Sequence, residues 1–170
     1  MFIRKAEHKD LSSILAIYNQ GIEDGMATLE EEAKDSAYME NWFVQHQDRY
    51  AALVAENDEG VIVGWAAINP FHSRCAYKGV GELSVYVHRT HRGKKIGQLL
   101  LQALEKTAVE QQFYKLILYT FPMNAQGQGL YRKMNFRQVG IWKHQGKLRG
   151  KYVDIMIMEK LLMEESFYTN

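Results

Sequence analysis

The stretch GELSVYVHRTHRGKKIGQLLLQALEK, residues 81–106, decides how the chain is read. It begins as an alternating strand, GELSVYVH, and continues as an apolar helical pattern from Ile96 to about Gln111. Between the two lie Arg92, Gly93, Lys94, Lys95, Ile96 and Gly97. The first N–H groups of a helix have no intrahelical acceptor, and the dipole end there is positive. Glycine lets the backbone approach a ligand with no side chain intervening. Several N–H groups can then converge on one pyrophosphate, with Arg92 and Lys94 or Lys95 adding charge-assisted contacts. A solvated basic loop before an ordinary helix is the plainer alternative, and charge alone favours it. What argues for a cradle is the coincidence of glycines, basic residues and a strand-to-helix junction.

Working outward, FIRKAE (2–7) alternates as a strand, and Asp10 stands at the N-cap position of a helix over 11–22. Gly25 interrupts, and residues 34–47 form a second helix whose stripe is Tyr38, Trp42 and Phe43. Residues 50–57 and 60–71 read as a hairpin turning at Asp58, Glu59 and Gly60. After the 81–106 stretch come a buried strand at 114–120, a break at Pro122 and Asn124, and a short helix over 125–134. A second hairpin closes the domain, turning near Lys147–Gly150. The order βααβββαβαββ gives seven strands, and only the unit around residues 80–120 reads as a parallel crossover. The fold class is therefore α/β in the mixed α+β sense: a mostly antiparallel sheet with helices on both faces. A single domain over 1–162 and a frayed tail over 163–170 are expected.

The chain has 170 residues and a formal charge of +1, so it carries no global field of the kind nucleic-acid binders use. Cys75 is the only cysteine, which excludes an intrachain disulfide and a cysteine zinc cluster. His72, His88 and His91 lack ligand spacing, so no metal is expected. No apolar run approaches the ~18 residues of a membrane span, and the N-terminus does not read as a signal peptide. A cytoplasmic location, with no membrane partner, follows as the expectation.

The phosphate signatures G-x-x-x-x-G-K-[ST] and G-x-G-x-x-G are absent. RGKKIG instead resembles the pyrophosphate loop of the GNAT superfamily of N-acetyltransferases, [QR]-x-x-G-x-[GA], and the strand order matches along almost the whole chain. The family's central glycine is Lys95 here, which reads as a residue already entering helix geometry. YNQGI, FHSRCAY, GELSVYVH, HRGKKIGQLLLQAL and GKYVDIMIME resemble the phosphinothricin acetyltransferase-like branch. Members of that branch acetylate the amino group of small amino acids or analogues such as phosphinothricin and methionine sulfone. The resemblance implies acetyl-CoA as donor, a homodimer and no metal.

Acetyl transfer from a thioester to an amine requires that the amine lose a proton, that oxyanion charge meet donors, and that the thiolate gain a proton. Glu82, at the head of the strand beside the cofactor loop, matches the branch's glutamate and is the candidate base. An ordinary glutamate titrates at about 4.3, so burial or a water relay must serve it. A structural carboxylate is the competing reading. The segment NAQGQGLYRKMNF resembles the family stretch that sets an asparagine by the pantetheine arm and a tyrosine near the sulfur. Asn124 and Tyr131 occupy those places, with Gly127 where a serine is common. Tyr131 is the candidate acid, although a tyrosine on an apolar helical stripe is equally a core residue. Leu83, Val85 and Val87 are the expected cofactor-facing peptides, in a strand where the superfamily has a bulge.

For a small amino-acid acceptor, Arg74 would clamp the carboxylate between Phe71 and Tyr77, and Lys147, Arg149 and Tyr152 would close the pocket. The branch also uses this last hairpin in homodimer contacts. Competing functions are a polyamine or protein N-terminal acceptor, a non-catalytic acyl-CoA-binding regulator, and a nucleic-acid module. A polyamine pocket should be acidic, and near-neutral net charge argues against nucleic acid.

Overall fold

The computed structural model describes residues 1–163, so all of the expected tail except Met163 lies outside the described residues. The elements are β1 (Phe2–Lys5), α1 (Leu11–Asp24), α2 (Ser36–Val44), β2 (Ala52–Glu56), β3 (Ile62–Pro70) and β4 (Val80–Val87). They continue as α3 (Ile96–Glu110), β5 (Lys115–Thr120), α4 (Ala125–Lys133), β6 (Arg137–Leu148) and β7 (Lys151–Leu161). The seven strands form one sheet in the order β1-β2-β3-β4-β5-β7-β6. Only β4 and β5 run parallel, as the lone crossover pattern predicts.

Alternation along the central strands sends side chains to two cores. Leu53, Ala55, Val63, Ala66 and Ile68 face Ile96, Leu100 and Leu104 of α3. Ala52, Val54, Trp65 and Ala67 face Ile14 and Ile17 of α1 and Met39 of α2. Both faces of β2 and β3 are thus buried, which is why these strands read as near-continuous apolar runs. Tyr131 and Met134 join the α3-side core with Phe136 and Met158.

Asp10 corrects one sequence expectation. It precedes α1 but has helical dihedrals and makes no side-chain cap. Its carboxylate instead accepts two bonds from the Arg4 guanidinium, at 2.7 and 2.9 Å, and one from the Glu7 N–H at 2.8 Å. Tertiary pairing of a buried acid has displaced local capping. The β6–β7 turn is the two residues Arg149 and Gly150, both at positive φ (49° and 79°), as a tight hairpin demands.

Candidate active site

The site begins where the sheet comes apart. β4 and β5 pair at only three rungs, Val80–Lys115, Gly81–Leu116 and Glu82–Ile117. Beyond them Leu118, Tyr119 and Thr120 stay with β7, while β4 continues along β3 to Val87. The His88 N–H donates to Val63 O at 2.9 Å, which fixes the phase of the antiparallel ladder. Counting back by two, Tyr86, Ser84 and Glu82 point their peptide groups at β3, and Val87, Val85 and Leu83 point theirs away. Arg92 Nε, donating to Val87 O at 3.1 Å from the open side, agrees. Leu83 borders the last rung, whereas Val85 and Val87 lie beyond it with no strand facing them among the described residues. The bulge expected in β4 does not occur on its β3 side: the register is unbroken from Gly64–Val87 to Pro70–Gly81. Divergence of two strands, rather than an extra residue in one, exposes the peptide groups.

At the far end of the opening lies the loop before α3. Gly93 has φ +77°, with nothing within 4 Å of where a Cβ would stand. Lys95 is the N-cap of α3 at φ +64° and ψ 8°, so it is left-handed and has not entered helix geometry, contrary to the sequence expectation. It adopts the conformation glycine favours and accepts the strain. The Leu99 N–H donates to Lys95 O, so α3 winds from this residue and leaves its first N–H groups directed outward. Gly97 serves packing: a Cβ there would stand 2.9 Å from Leu130 of α4. Arg92 is held by Asp24 at 2.6 Å as well as by Val87 O. Arg92, Gly93, Lys95, Ile96 and Gly97 line a cavity of about 360 Å³ that runs back to Val87, Val85, Asn124 and Tyr131, whereas Lys94 is exposed outside it. Outward N–H groups beside Arg92 and Lys95, followed by an open strand edge, fit a diphosphate with an amide-bearing arm.

A second cavity, of about 390 Å³, shares Val85, Tyr86, Asn124 and Tyr131 with the first and extends to Glu82. Burial pushes the Glu82 carboxyl above its usual range, and among the described residues no donor bonds its carboxylate. Its charge is felt at Tyr119, whose phenol is raised by burial first and by Glu82 second. Tyr131 is buried and pushed up to about 12 by that burial, so it holds its proton at neutral pH. Asn124 caps α4. Its Oδ1 accepts from the Gly127 N–H at 2.9 Å, and its Nδ2 donates to the Thr120 hydroxyl at 3.1 Å. Among the described residues no three His, Cys, Asp or Glu side chains cluster as a metal needs.

The structure keeps the expected acceptor residues apart from these cavities. Phe71 and Tyr77 pack edge to face at 5.4 Å on the loop before β4, Arg74 is exposed beside them, and none lines either cavity. Lys147 lies 5.9 Å from the ring of exposed Tyr152, also outside. Arg149 reaches back to α1 and the segment after it: its guanidinium donates to the Glu23 carbonyl at 3.0 Å, and its backbone N–H donates to the Glu31 carboxylate beyond the helix. It ties the hairpin to the helix C-terminus, where a cation suits the exposed carbonyls. The residues that do line the cavity near Glu82 include Tyr18, Thr28, Leu29, Tyr86, Tyr119 and Trp142. Sequence reasoning did not single out these positions as site residues. Alternation from Glu82 through Ser84 to Tyr86 was the available signal for one of them.

Comparison with known proteins gives a family. The acetyltransferase (GNAT) family profile matches residues 14–136. An L-methionine sulfoximine/L-methionine sulfone acetyltransferase of Pseudomonas aeruginosa is 33% identical over 158 residues, 92% of each chain. A ribosomal-protein-alanine N-acetyltransferase from Brucella melitensis superposes with TM-score 0.91 at 34% identity, covering 95% of this chain and 99% of that one. A phosphinothricin acetyltransferase from Sinorhizobium meliloti in complex with acetyl-CoA superposes with TM-score 0.92 at 29% identity, over 99% and 91% of the two chains. With its profile spanning most of the chain and its parted strands meeting a left-handed loop at a helix start, this protein belongs to the acetyltransferase (GNAT) family.

Proposed function

We propose that the protein transfers an acetyl group from acetyl-CoA to the α-amino group of a small amino acid or amino-acid analogue. The observation that carries this is the junction of the two cavities. Glu82 and Tyr131 line one chamber, and that chamber opens through Val85 and Asn124 onto the α3 cradle. Acetyl-CoA supplies an activated acyl group on a thiol leaving group. In this reading the α3 N–H groups, Arg92 and Lys95 hold the diphosphate, and the freed peptides of Val85 and Val87 bond the pantetheine amides. Glu82, its proton affinity raised by burial, draws the proton from the acceptor ammonium directly or through water. Tyr131, protonated at neutral pH, donates to the departing sulfur. The acetyl oxygen takes a backbone N–H of β4.

Among the described residues no lysine, arginine or histidine lines the cavity that holds Glu82, so the acceptor carboxylate needs a cation from elsewhere. We assign it to Arg74, whose exposed guanidinium has no partner among the described residues, brought to the mouth by pairing of two copies of the chain. Exposed Val139, Ile141 and Tyr152 on the β6–β7 hairpin support a homodimer contact there. The reaction takes place in the cytoplasm, where acetyl-CoA is available. The likeness to a ribosomal-protein-alanine N-acetyltransferase favours a peptide α-amine as the second reading.

Thiol release from acetyl-CoA, measured over a panel of amino acids, spermidine and an alanine-terminated peptide, tests the reading. Turnover concentrated in the amino acids is expected. Turnover only with the peptide or the polyamine overturns the acceptor, and no thermal stabilisation by acetyl-CoA overturns the donor site.

A further inference from the structure

His46, just past α2, is only 2% exposed and takes no part in the steps above. Its ring stacks on Trp42 at 4.2 Å. Each ring nitrogen faces an oxygen: Nδ1 lies 2.6 Å from the Trp42 carbonyl, and Nε2 lies 3.0 Å from the Asn69 side-chain oxygen. Both oxygens only accept, and a neutral imidazole carries a single N–H. The neutral ring therefore serves one of them and meets the other lone pair to lone pair. The imidazolium serves both.

Asn69 carries this mismatch to the site. From β3 its Nδ2 donates to Glu82 O at 3.2 Å and to Ser84 Oγ at 3.0 Å on β4. In that arrangement the Ser84 oxygen accepts, so its hydrogen is left for the cavity it shares with Glu82. Half a turn of the amide exchanges its ends. Nδ2 then donates to a neutral His46 Nε2, and Oδ1 accepts from the Ser84 hydroxyl, whose lone pairs now face the cavity. Glu82 O gives up the amide donor. The two patterns fill the same space and differ by one proton on His46.

Little charge surrounds the ring. On α2, Glu40 is turned out to His8 at 2.9 Å. On the ring's own loop Asp48 is exposed, and Arg49 donates to the Gln111 carbonyl at 3.0 Å. β3 supplies only uncharged Asn69, and Glu82 of β4 is reached through that amide. Burial pushes the ring below the usual histidine range, so the neutral pattern holds at neutral pH and a proton is taken up from water in acid.

We infer that His46 is a positioning residue whose proton selects which end of the Asn69 amide faces Glu82 and Ser84. With the ring neutral, Ser84 offers lone pairs to the acceptor ammonium. With the ring protonated, Ser84 presents a hydrogen and opposes it. Only this last step rests on the acetyl-transfer reading above.

Two measurements on the whole protein test the inference. Heteronuclear NMR follows the His46 ring and the Asn69 side-chain amide from about pH 5 to about pH 8 and needs no turnover. Both should change with one midpoint, below about 6.5. A ring that titrates while the Asn69 amide signals stay in place overturns the inference, and so does a ring that keeps one state throughout. The second measurement is the KM of L-methionine sulfone at about pH 5.5 and about pH 7.5. The rise in acid should be roughly threefold to tenfold larger in wild type than in His46→Phe, the worth of one neutral hydrogen bond. The phenylalanine ring keeps the stack on Trp42 and takes no proton. Glu82 titrates in both proteins, so the comparison cancels its share. Ser84→Ala should flatten the rise to the same extent. Parallel KM profiles in wild type and His46→Phe overturn the inference while leaving amino-acid acetylation intact. No turnover with any amino acid overturns the acetyl-transfer reading and the Ser84 step with it, and the NMR comparison then decides the role of His46 by itself.

Discussion

The Arg92 guanidinium lies 2.6 Å from the Asp24 carboxylate, joining the loop before α3 to the end of α1. Arg89 reaches the same carboxylate at 2.7 Å. Burial alone would raise the Asp24 carboxyl, but the two guanidiniums outweigh it and hold it below the usual range. A depressed carboxylate contributes stability above its unfolded value, and that contribution is lost as pH falls through the folded one. Asp24→Asn should therefore cost about 0.5–1 kcal/mol in urea titrations at pH 7, since the pair is partly exposed. The difference should shrink below about pH 4. Coenzyme A affinity, read by calorimetry, should fall several-fold as Arg92 loses its orientation.

Lys95 stands at φ +64° where glycine has no penalty. Lys95→Gly should raise the urea midpoint by the equivalent of about 0.5–1 kcal/mol, the relieved strain exceeding the added chain entropy. Lys95→Val should lower it, because a β-branched residue fits that region worst. A destabilised glycine variant would remove the argument that this turn is strained.

Glu82→Gln should separate activity from stability. Turnover should fall by roughly 10²–10⁴, the range for a lost general base. The raised native carboxyl works against folding: the folded state binds the proton more tightly, so stability declines as pH rises from about 4.3 through the native value. A neutral amide escapes that penalty, so the variant should melt higher at pH 7 and lose the advantage near pH 4. The wild-type acid limb of kcat/KM should lie above an ordinary carboxylate's.

Tyr131→Phe keeps the ring that meets Phe136 at 6.2 Å and removes only the phenol oxygen. The melting temperature should move little while kcat falls by about tenfold or more. Acetyl thioesters of more acidic thiols should recover much of that loss, because their leaving groups need no proton. An equal deficit with all donors would assign Tyr131 to packing.

Gly127→Ser should be harmful even though serine is common there in the family. A Cβ at this position would stand 2.5 Å from Asn124 Nδ2, so the cap of α4 must open. A loss of about 1 kcal/mol, typical of an N-cap, is expected from thermal or urea unfolding, with no gain in coenzyme A affinity.

The element order, the single parallel crossover and both hairpins were legible because periodicity and turn residues act locally. Position between a strand and a helix also marked Arg92, Gly93, Lys95, Ile96 and Gly97, which line one cavity, and Lys94, which does not. The acceptor end was not legible. Tyr18, Thr28, Tyr119 and Trp142 come from four separate segments, and no local pattern marks their convergence. Arg149 drew notice by charge, yet its guanidinium is tied to the end of α1. Lys95 showed the limit of analogy: its backbone keeps the glycine conformation although its side chain does not.

The gap between β4 and β5 leaves the sheet as two panels hinged on three rungs. A ligand lying along Val85 and Val87 then acts as a missing slat, bonding one panel and pressing on the other. Amide protons along that seam should exchange slowly only while it is filled.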